Sequence, residues 1–354
     1  MVKEMRLALI GFGTVGQGLA ELLMEKREWL RAAYGLDARL VAVATARSGF
    51  LARAEGLDEA ELLRLAASGQ PLTAYTAPGM RHWPTVGEGL AATGADVLIE
   101  VTGTNLHDGE PGLSHIRQAL EQGMHVITAN KGPVALAAHE LLALAARKGV
   151  QLRMEATVMA GTPVLSTLRE GLAGARILGL SGILNGTTNY ILTAMSQGRD
   201  YAEALAEAQR LGYAEADPTA DVEGYDALAK TLILAALVFG VPLRAEQVQR
   251  RGISGITQEE IRAAQEQGRR IKLVASLRLR QADQRPELPV EARVEPLALP
   301  LEHPLARVDG VMNALTIESD TLASVTVIGP GAGRRQTAQG LLADLLAIAR
   351  NCQT

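Results

Sequence analysis

Asp226 and Lys230 stand four residues apart at the end of LGYAEADPTADVEGYDALAK (211–230), which runs directly into the apolar TLILAALVFG. On a helix that spacing puts the carboxylate and the ammonium on one face, which continues through Leu234 and Leu237 toward an apolar core. Glu215, Asp217, Asp221 and Glu223 crowd the same turn. A carboxylate and an ammonium thus sit at the mouth of an apolar core. Taken alone, a solvated ion pair beside an acidic cap is the commoner explanation of such residues. The six lysines, Lys3, Lys26, Lys131, Lys148, Lys230 and Lys272, lie in a chain that otherwise uses arginine. A partly buried Lys releases a proton and Arg does not, so Lys131 and Lys230 are candidate proton carriers. Arbitrary lysine usage at tolerant positions is the alternative.

These groups need a scaffold, and the chain supplies recognisable pieces of one. Residues 6–10 read as a buried strand, followed by Gly11-Phe12-Gly13-Thr14-Val15-Gly16 and a helical pattern through Leu19, Leu22, Leu23 and Leu30. GxGxxG between a strand and a helix is a dinucleotide-binding signature: the glycines permit close backbone approach, and the helix N-terminus offers N–H groups to a pyrophosphate. A Gly-rich turn serving only helix packing is the alternative. A second strand, 39–44, ends in Thr45-Ala46-Arg47-Ser48 with no acid for a ribose 2′-hydroxyl, and Arg47 is placed to pair with a 2′-phosphate, favouring NADP over NAD. Residues 50–85 read as irregular apart from a helix near 58–67. Strand 95–101 ends at Thr102-Gly103, helix 110–122 follows, and strand 125–129 ends at Asn130-Lys131. Ligands of open parallel sheets bind outside such strand ends. Helix 134–148 and strand 151–158 complete a doubly wound parallel sheet, the predicted first lobe.

Beyond Pro163 the pattern changes. A strand at 176–184, helices at 185–195 and 201–211, a helix from Pro218 interrupted at Gly224, alternating strands at 270–280 and 288–294, a last strand at 322–328 and a final helix at 336–349 point to an α+β second lobe. Asp217-Pro218 has the form of a helix start, with an Asp cap and Pro at the first helical position.

Composition excludes several classes. At 354 residues the chain exceeds one ordinary domain. Its net charge of -4, its lack of a basic block and its 3% aromatic content provide no footprint for nucleic acid. The longest apolar run, 231–241, is shorter than a membrane span, and the N-terminus enters a strand at once without a signal-peptide pattern. The single cysteine, Cys352, forms no internal disulfide and is not expected to act in catalysis, and the six histidines show no paired ligand spacing. A cytoplasmic protein is expected.

GFGTVGQG, ANKGP (129–133), EATVMAGTP (155–163), ILNGTTNYIL (183–192), GYAEADPTADVEGYDALAK (212–230) and GPGAG (329–333) occur in this order over nearly the whole chain. Together they resemble homoserine dehydrogenase; the acidic segment and NGTTNY are specific, whereas GxGxxG is widely shared. The resemblance implies NAD(P)-dependent interconversion of L-aspartate 4-semialdehyde and L-homoserine, on the route to threonine, methionine and isoleucine. It implies an α/β, Rossmann-type doubly wound parallel sheet formed by residues 1–153 and 328–354, with an inserted α+β substrate-binding and dimerisation domain, 154–327. By the same similarity Glu215 and Asp226 hold the substrate's ammonium and hydroxyl, Lys230 supplies the proton, Asp221 steadies Lys230, and Lys131 sits at nicotinamide and substrate. Gly212 and Gly331 join the cofactor-binding residues with the GxGxxG turn, Arg47, Thr102 and Gly103. A monovalent cation, sodium, is implied at the Glu155 side chain and the carbonyls of Val158, Ala160 and Thr162. A homodimer or higher homo-oligomer is the family habit. Longer members carry a regulatory domain after the GPGAG turn and its helix, whereas this chain stops at Thr354, so insensitivity to threonine is expected.

Overall fold

Parallel strands buried on both faces read as continuous apolar runs, and Leu7-Ala8-Leu9-Ile10 of β1 (Lys3–Ile10) is such a run, each residue essentially inaccessible to water. The computed structural model that shows this describes residues 2–280 and 289–351; Cys352 and Leu288, the first residue of predicted strand 288–294, lie outside the described residues. The chain forms two units, Met1–Gly161 with Gly333–Thr354, and Thr162–Ala332. The divisions fall at 161/162 and 332/333, where the sequence suggests 153/154 and 327/328.

In the first unit β1 joins β2 (Leu36–Thr45), β3 (Gly49–Ala52), β4 (Arg81–Trp83), β5 (Val97–Glu100), β6 (His125–Thr128) and β7 (Leu152–Arg153) in a sheet of order β4-β3-β2-β1-β5-β6-β7. From β2 to β7 the pairing is parallel, while β3 and β4 turn back antiparallel at the edge. Helices α1 (Thr14–Tyr34), α2 (Glu59–Ala67), α3 (Val86–Gly89), α4 (Gly112–Glu121) and α5 (Lys131–Lys148) connect them. The stripe Leu19, Leu22, Leu23 and Leu30 of α1 shares one core with Leu7 and Leu9 and with Leu341, Leu342, Leu345 and Ile348 of the last helix, Arg334–Asn351. Arg334–Glu21 and Arg335–Glu25 ion pairs strap that helix to α1.

Several local expectations are corrected. Residues 50–85 are not irregular outside their one helix: β3 and β4 extend the sheet, and Phe50 stacks on Trp83 at 5.8 Å. The strand expected at 151–158 stops at Arg153 and becomes a 3-10 turn, Glu155–Thr157, because the chain leaves the sheet edge there. Helix α5 starts at Lys131 rather than Val134, since the Asn130 side chain accepts from Gly132 N–H and caps it.

The second unit is α+β. Strands β8 (Ile177–Ile183), β9 (Gln249–Arg250), β10 (Arg269–Leu279), β11 (Val290–Pro300), β12 (Met312–Ser319) and β13 (Ala323–Pro330) form a sheet of order β13-β12-β8-β10-β11-β9. Its pairings are antiparallel except for β9 on β11. Helices α6 (Val164–Ser166), α7 (Gly186–Ser196), α8 (Tyr201–Arg210), α9 (Thr219–Val222), α10 (Tyr225–Phe239) and α11 (Gln258–Glu266) complete it. The elements β9, β12 and α11 had no clear sequence signal. The single interrupted helix expected from Pro218 is two helices, because Gly224 takes a left-handed φ of 79° and starts α10 in a new direction. No helix among the described residues is long and apolar enough to cross a membrane.

Candidate active site

Polar positioning in the second unit begins with Asn185, the cap of α7. Its Oδ1 accepts from Thr188 N–H at 2.9 Å, which leaves the amide nitrogen to reach outward. That nitrogen donates to Asp221 Oδ1 at 2.7 Å and to Asp226 Oδ2 at 3.0 Å, so one amide holds two carboxylates. The Thr187 hydroxyl lies 2.8 Å from Asp221 Oδ2 and 2.7 Å from the Tyr213 carbonyl. Burial pushes the Asp221 carboxyl above the usual range and Asp226 adds to this, while Thr187, Asn185 and Lys230 pull the other way.

Lys230, 5% exposed, donates to Asp226 Oδ2 at 2.8 Å and to the Leu184 carbonyl at 2.5 Å. An ammonium has three N–H donors, so one is left over from these two bonds. Leu184 is the residue before Asn185, and the α7 start therefore fixes both the carboxylate pair and the lysine. Among the described residues Asp221 makes no direct ion pair with Lys230; the Asn185 bridge joins it to Asp226. Glu215 is exposed on the turn between α8 and α9, tied by its carbonyl to Gln209, and Gly212 is exposed just before it. Sequence reading named the NGTTNY segment without assigning Asn185 or Thr187 a role: capping is legible in a sequence, but the second use of the cap's amide is a tertiary contact.

The first unit presents the dinucleotide turn. Gly11 has φ 103°, and a Cβ there would lie 2.7 Å from the Val101 carbonyl; one on Gly16 would lie 2.2 Å from the Gly11 carbonyl. The chain thus needs glycine at both positions to bring the turn against the end of β5. Gly13 and Thr14 are exposed, Val15 is half-buried and Phe12 buried, and no side chain caps the start of α1, so its first N–H groups suit a pyrophosphate. Arg47 is exposed in the turn between β2 and β3. Thr102 and Gly103 follow β5, and the half-buried Lys131 opens α5.

The segment implied for a cation is buried: Glu155 is 3%, Val158 0% and Ala160 4% exposed. Met159 and Ala160 have φ of 60° and 52°, uncommon for residues with side chains and a form of strain that concentrates at functional turns. The Glu155 N–H donates to buried Asp344 at 2.8 Å. In the second unit Thr162 donates its hydroxyl to the Pro330 carbonyl at 2.9 Å, and Gly331 lies against the buried Asn313 side chain. Among the described residues no group of three or more His, Cys, Asp or Glu is placed to hold a metal. Sequence reading also passed over Lys272, 2% exposed, which donates to Asn189 Oδ1, the Val308 carbonyl and Asp309, with burial pushing its ammonium down.

Comparison with known proteins identifies the family. The family model for homoserine dehydrogenase matches residues 163–346, and that for the homoserine dehydrogenase NAD-binding domain matches 11–155. The NAD(+)-dependent homoserine dehydrogenase of Pseudomonas canavaninivorans is 42% identical over 98% of this chain and 96% of its own length. A homoserine dehydrogenase of Methanocaldococcus jannaschii is 38% identical over 97% and 98%. The solved homoserine dehydrogenase of Thiobacillus denitrificans superposes with a TM-score of 0.81 at 38% identity, over 99% of this chain and 74% of that one. A hyperthermophilic archaeal homoserine dehydrogenase in complex with NADPH superposes with a TM-score of 0.81 at 29% identity, over 99% and 98%. The chain therefore belongs to the homoserine dehydrogenase family, NAD(P)-dependent oxidoreductases that interconvert L-aspartate 4-semialdehyde and L-homoserine.

Proposed function

We propose that hydride passes from the reduced nicotinamide to the aldehyde carbon of aspartate 4-semialdehyde while Lys230 protonates the oxygen, directly or through one water. The observation that carries this is the buried Lys230 ammonium, held by the Leu184 carbonyl and Asp226 with a third donor remaining. Hydride addition puts negative charge on oxygen, and a preoriented ammonium stabilises that charge without reorganising. In the reverse direction neutral Lys230 takes the homoserine hydroxyl proton. Asp226 and Glu215 recognise the substrate's ammonium and hydroxyl, Asp221 positions Asp226 through Asn185, and Lys131 works at the nicotinamide and substrate. The GxGxxG turn holds the pyrophosphate, with Thr102, Gly103, Gly212 and Gly331 completing the cofactor contacts.

For the 2′-position we propose that Arg47 selects NADP, supported by its exposure and by the absence of an acid in Thr45-Ala46-Arg47-Ser48. Use of NAD is the second reading, favoured by the relative named NAD(+)-dependent. We also propose a monovalent cation, sodium, at the Glu155 side chain and the carbonyls of Val158, Ala160 and Thr162, supported by the buried Glu155 and the positive φ of Met159 and Ala160; it would supply fixed positive charge beside a buried carboxyl. We also propose a homodimer; sedimentation at the mass of a single chain would refute it. The primary test is incubation with L-homoserine and NADP or NAD while following nicotinamide absorbance. No turnover with either cofactor would refute the mechanism.

A further inference from the structure

Glu100 ends β5 with none of its surface exposed, and no step above uses it. Its Oε1 accepts both donors of Thr102, the N–H at 3.1 Å and the hydroxyl. Having given its proton to Glu100, the Thr102 hydroxyl can only accept, and it takes Asn130 Nδ2–H at 3.2 Å. The same nitrogen lies 3.4 Å from the Gly103 carbonyl, and Asn130 Oδ1 accepts from Gly132 N–H at 3.1 Å as the cap of α5. The Glu100 backbone carbonyl accepts from the Thr128 hydroxyl at 3.0 Å, and Thr128 Oγ1 lies 2.9 Å from the Asn130 N–H. The ends of β5 and β6 are thus tied by a relay of two branches, one ending on the Glu100 side chain through Thr102 and one on its backbone carbonyl through Thr128.

The other side of Glu100 is equally particular. Among the described residues Oε2 has no hydrogen-bond partner, and neither has Nδ1 of His115, 3.8 Å from Oε1. A Cβ on Gly112 would lie 3.1 Å from Oε2 and 2.6 Å from Asn130 Nδ2, so the glycine at the start of α4 brings that helix N-terminus against the carboxylate. A helix N-terminus favours negative charge. A fully buried carboxylate is otherwise costly, and apolar residues would fill the site more cheaply if packing were all that mattered.

We propose that Glu100 is a positioning residue for the nicotinamide half of the cofactor, acting through Thr102 and Asn130 to set where Gly103 and Lys131 stand. This rests on the reading that Thr102, Gly103 and Lys131 meet the cofactor. The glycine turn that meets the pyrophosphate is held by Gly11 N–H on the Ala44 carbonyl at 2.9 Å and by close approach to the Val101 backbone, contacts that use no atom of the Glu100 side chain, so losing that side chain should matter to one half of the dinucleotide and not to the other.

The test measures kcat, KM and binding of NADPH and NADH, with ADP-ribose and its 2′-phosphate as probes lacking nicotinamide. Glu100→Met, which fills the volume and accepts poorly, should lower kcat/KM for the cofactor about tenfold to hundredfold, the worth of one charged hydrogen bond. ADP-ribose affinity should stay within about threefold, below the worth of a charged hydrogen bond. Glu100→Gln keeps a carbonyl oxygen that accepts from Thr102 in a side chain of the same shape, and should restore most of the loss. Should Glu100→Met not fold, Thr102→Val breaks the relay at its second member and should show the same split between nicotinamide and ADP-ribose. Equal losses of NADPH and ADP-ribose binding would overturn the proposal, as would a folded Glu100→Met enzyme of near-normal kcat/KM or a silent Thr102→Val. Lys131→Met separates the causes: if it impairs turnover while Thr102→Val is silent, only the relay is wrong, and if both are silent the cofactor-site reading falls too.

Discussion

Replacing Lys230 by arginine isolates proton transfer from charge. Lys230→Met would remove the cation from between Asp226 and the Leu184 carbonyl. Breaking a buried pair in that way costs about 3–5 kcal/mol in stability, and the outcome would report folding as much as chemistry. Arginine keeps the positive charge for both acceptors, and its extra bulk in a site 5% exposed costs about 1–3 kcal/mol as overpacking. It does not release a proton at working pH. If Lys230 is the acid, kcat should fall by roughly 10²- to 10⁴-fold, which corresponds to about 2.7–5.4 kcal/mol of transition-state stabilisation. Binding of the reduced cofactor, read by nicotinamide fluorescence, should barely change, and a thermal melt should show a cooperative transition. Initial rates with L-homoserine as the varied substrate then separate kcat from KM. A Lys230→Arg enzyme that melts normally and keeps near-normal kcat would refute the reasoning and move the proton to Lys131 or a bound water.

Arg47→Ala should weaken NADP by about tenfold to hundredfold, the worth of a charged hydrogen bond, and leave NAD nearly untouched; equal losses with both cofactors would remove Arg47 from the 2′-phosphate. Because burial raises the Asp221 carboxyl in the folded protein, its ionised form opposes folding above that raised value, and the opposition vanishes as pH falls below the ordinary Asp range. Asp221→Asn should therefore raise the melting temperature at pH 7 and lose that advantage in acid, while lowering kcat; a melting temperature below wild type at pH 7 would contradict it. Sodium should raise the melting temperature relative to tetramethylammonium, by the equivalent of about 2.7 kcal/mol at a hundredfold excess over Kd. Glu155→Gln should remove that increment, and an unchanged increment would place the cation elsewhere.

The GFGTVG turn between β1 and α1 was legible from residue types, because positive φ and close approach at Gly11 and Gly16 are local demands that glycine alone meets. The Asp226–Lys230 pair was legible too, since i, i+4 geometry follows from helical periodicity. What the sequence did not determine is whether that pair is surface decoration: it becomes a buried, oriented ammonium only because the start of α7, some forty residues earlier in the chain, delivers the Leu184 carbonyl and the Asn185 amide to it. Glu100 teaches the same point from the other side. Inside the apolar run ADVLIEV it reads as one polar residue at a strand end, and only the packing of α4 and β6 beside β5 shows what its carboxylate holds. Strand β12 passed unnoticed although it forms a tight hairpin with β13, because its place in the sheet depends on the distant strand β8, and a strand's preference depends more on its cross-strand neighbours than on its own residues. Local backbone chemistry is written in neighbouring residues; the direction of a hydrogen bond between distant ones is decided only when the fold brings them together.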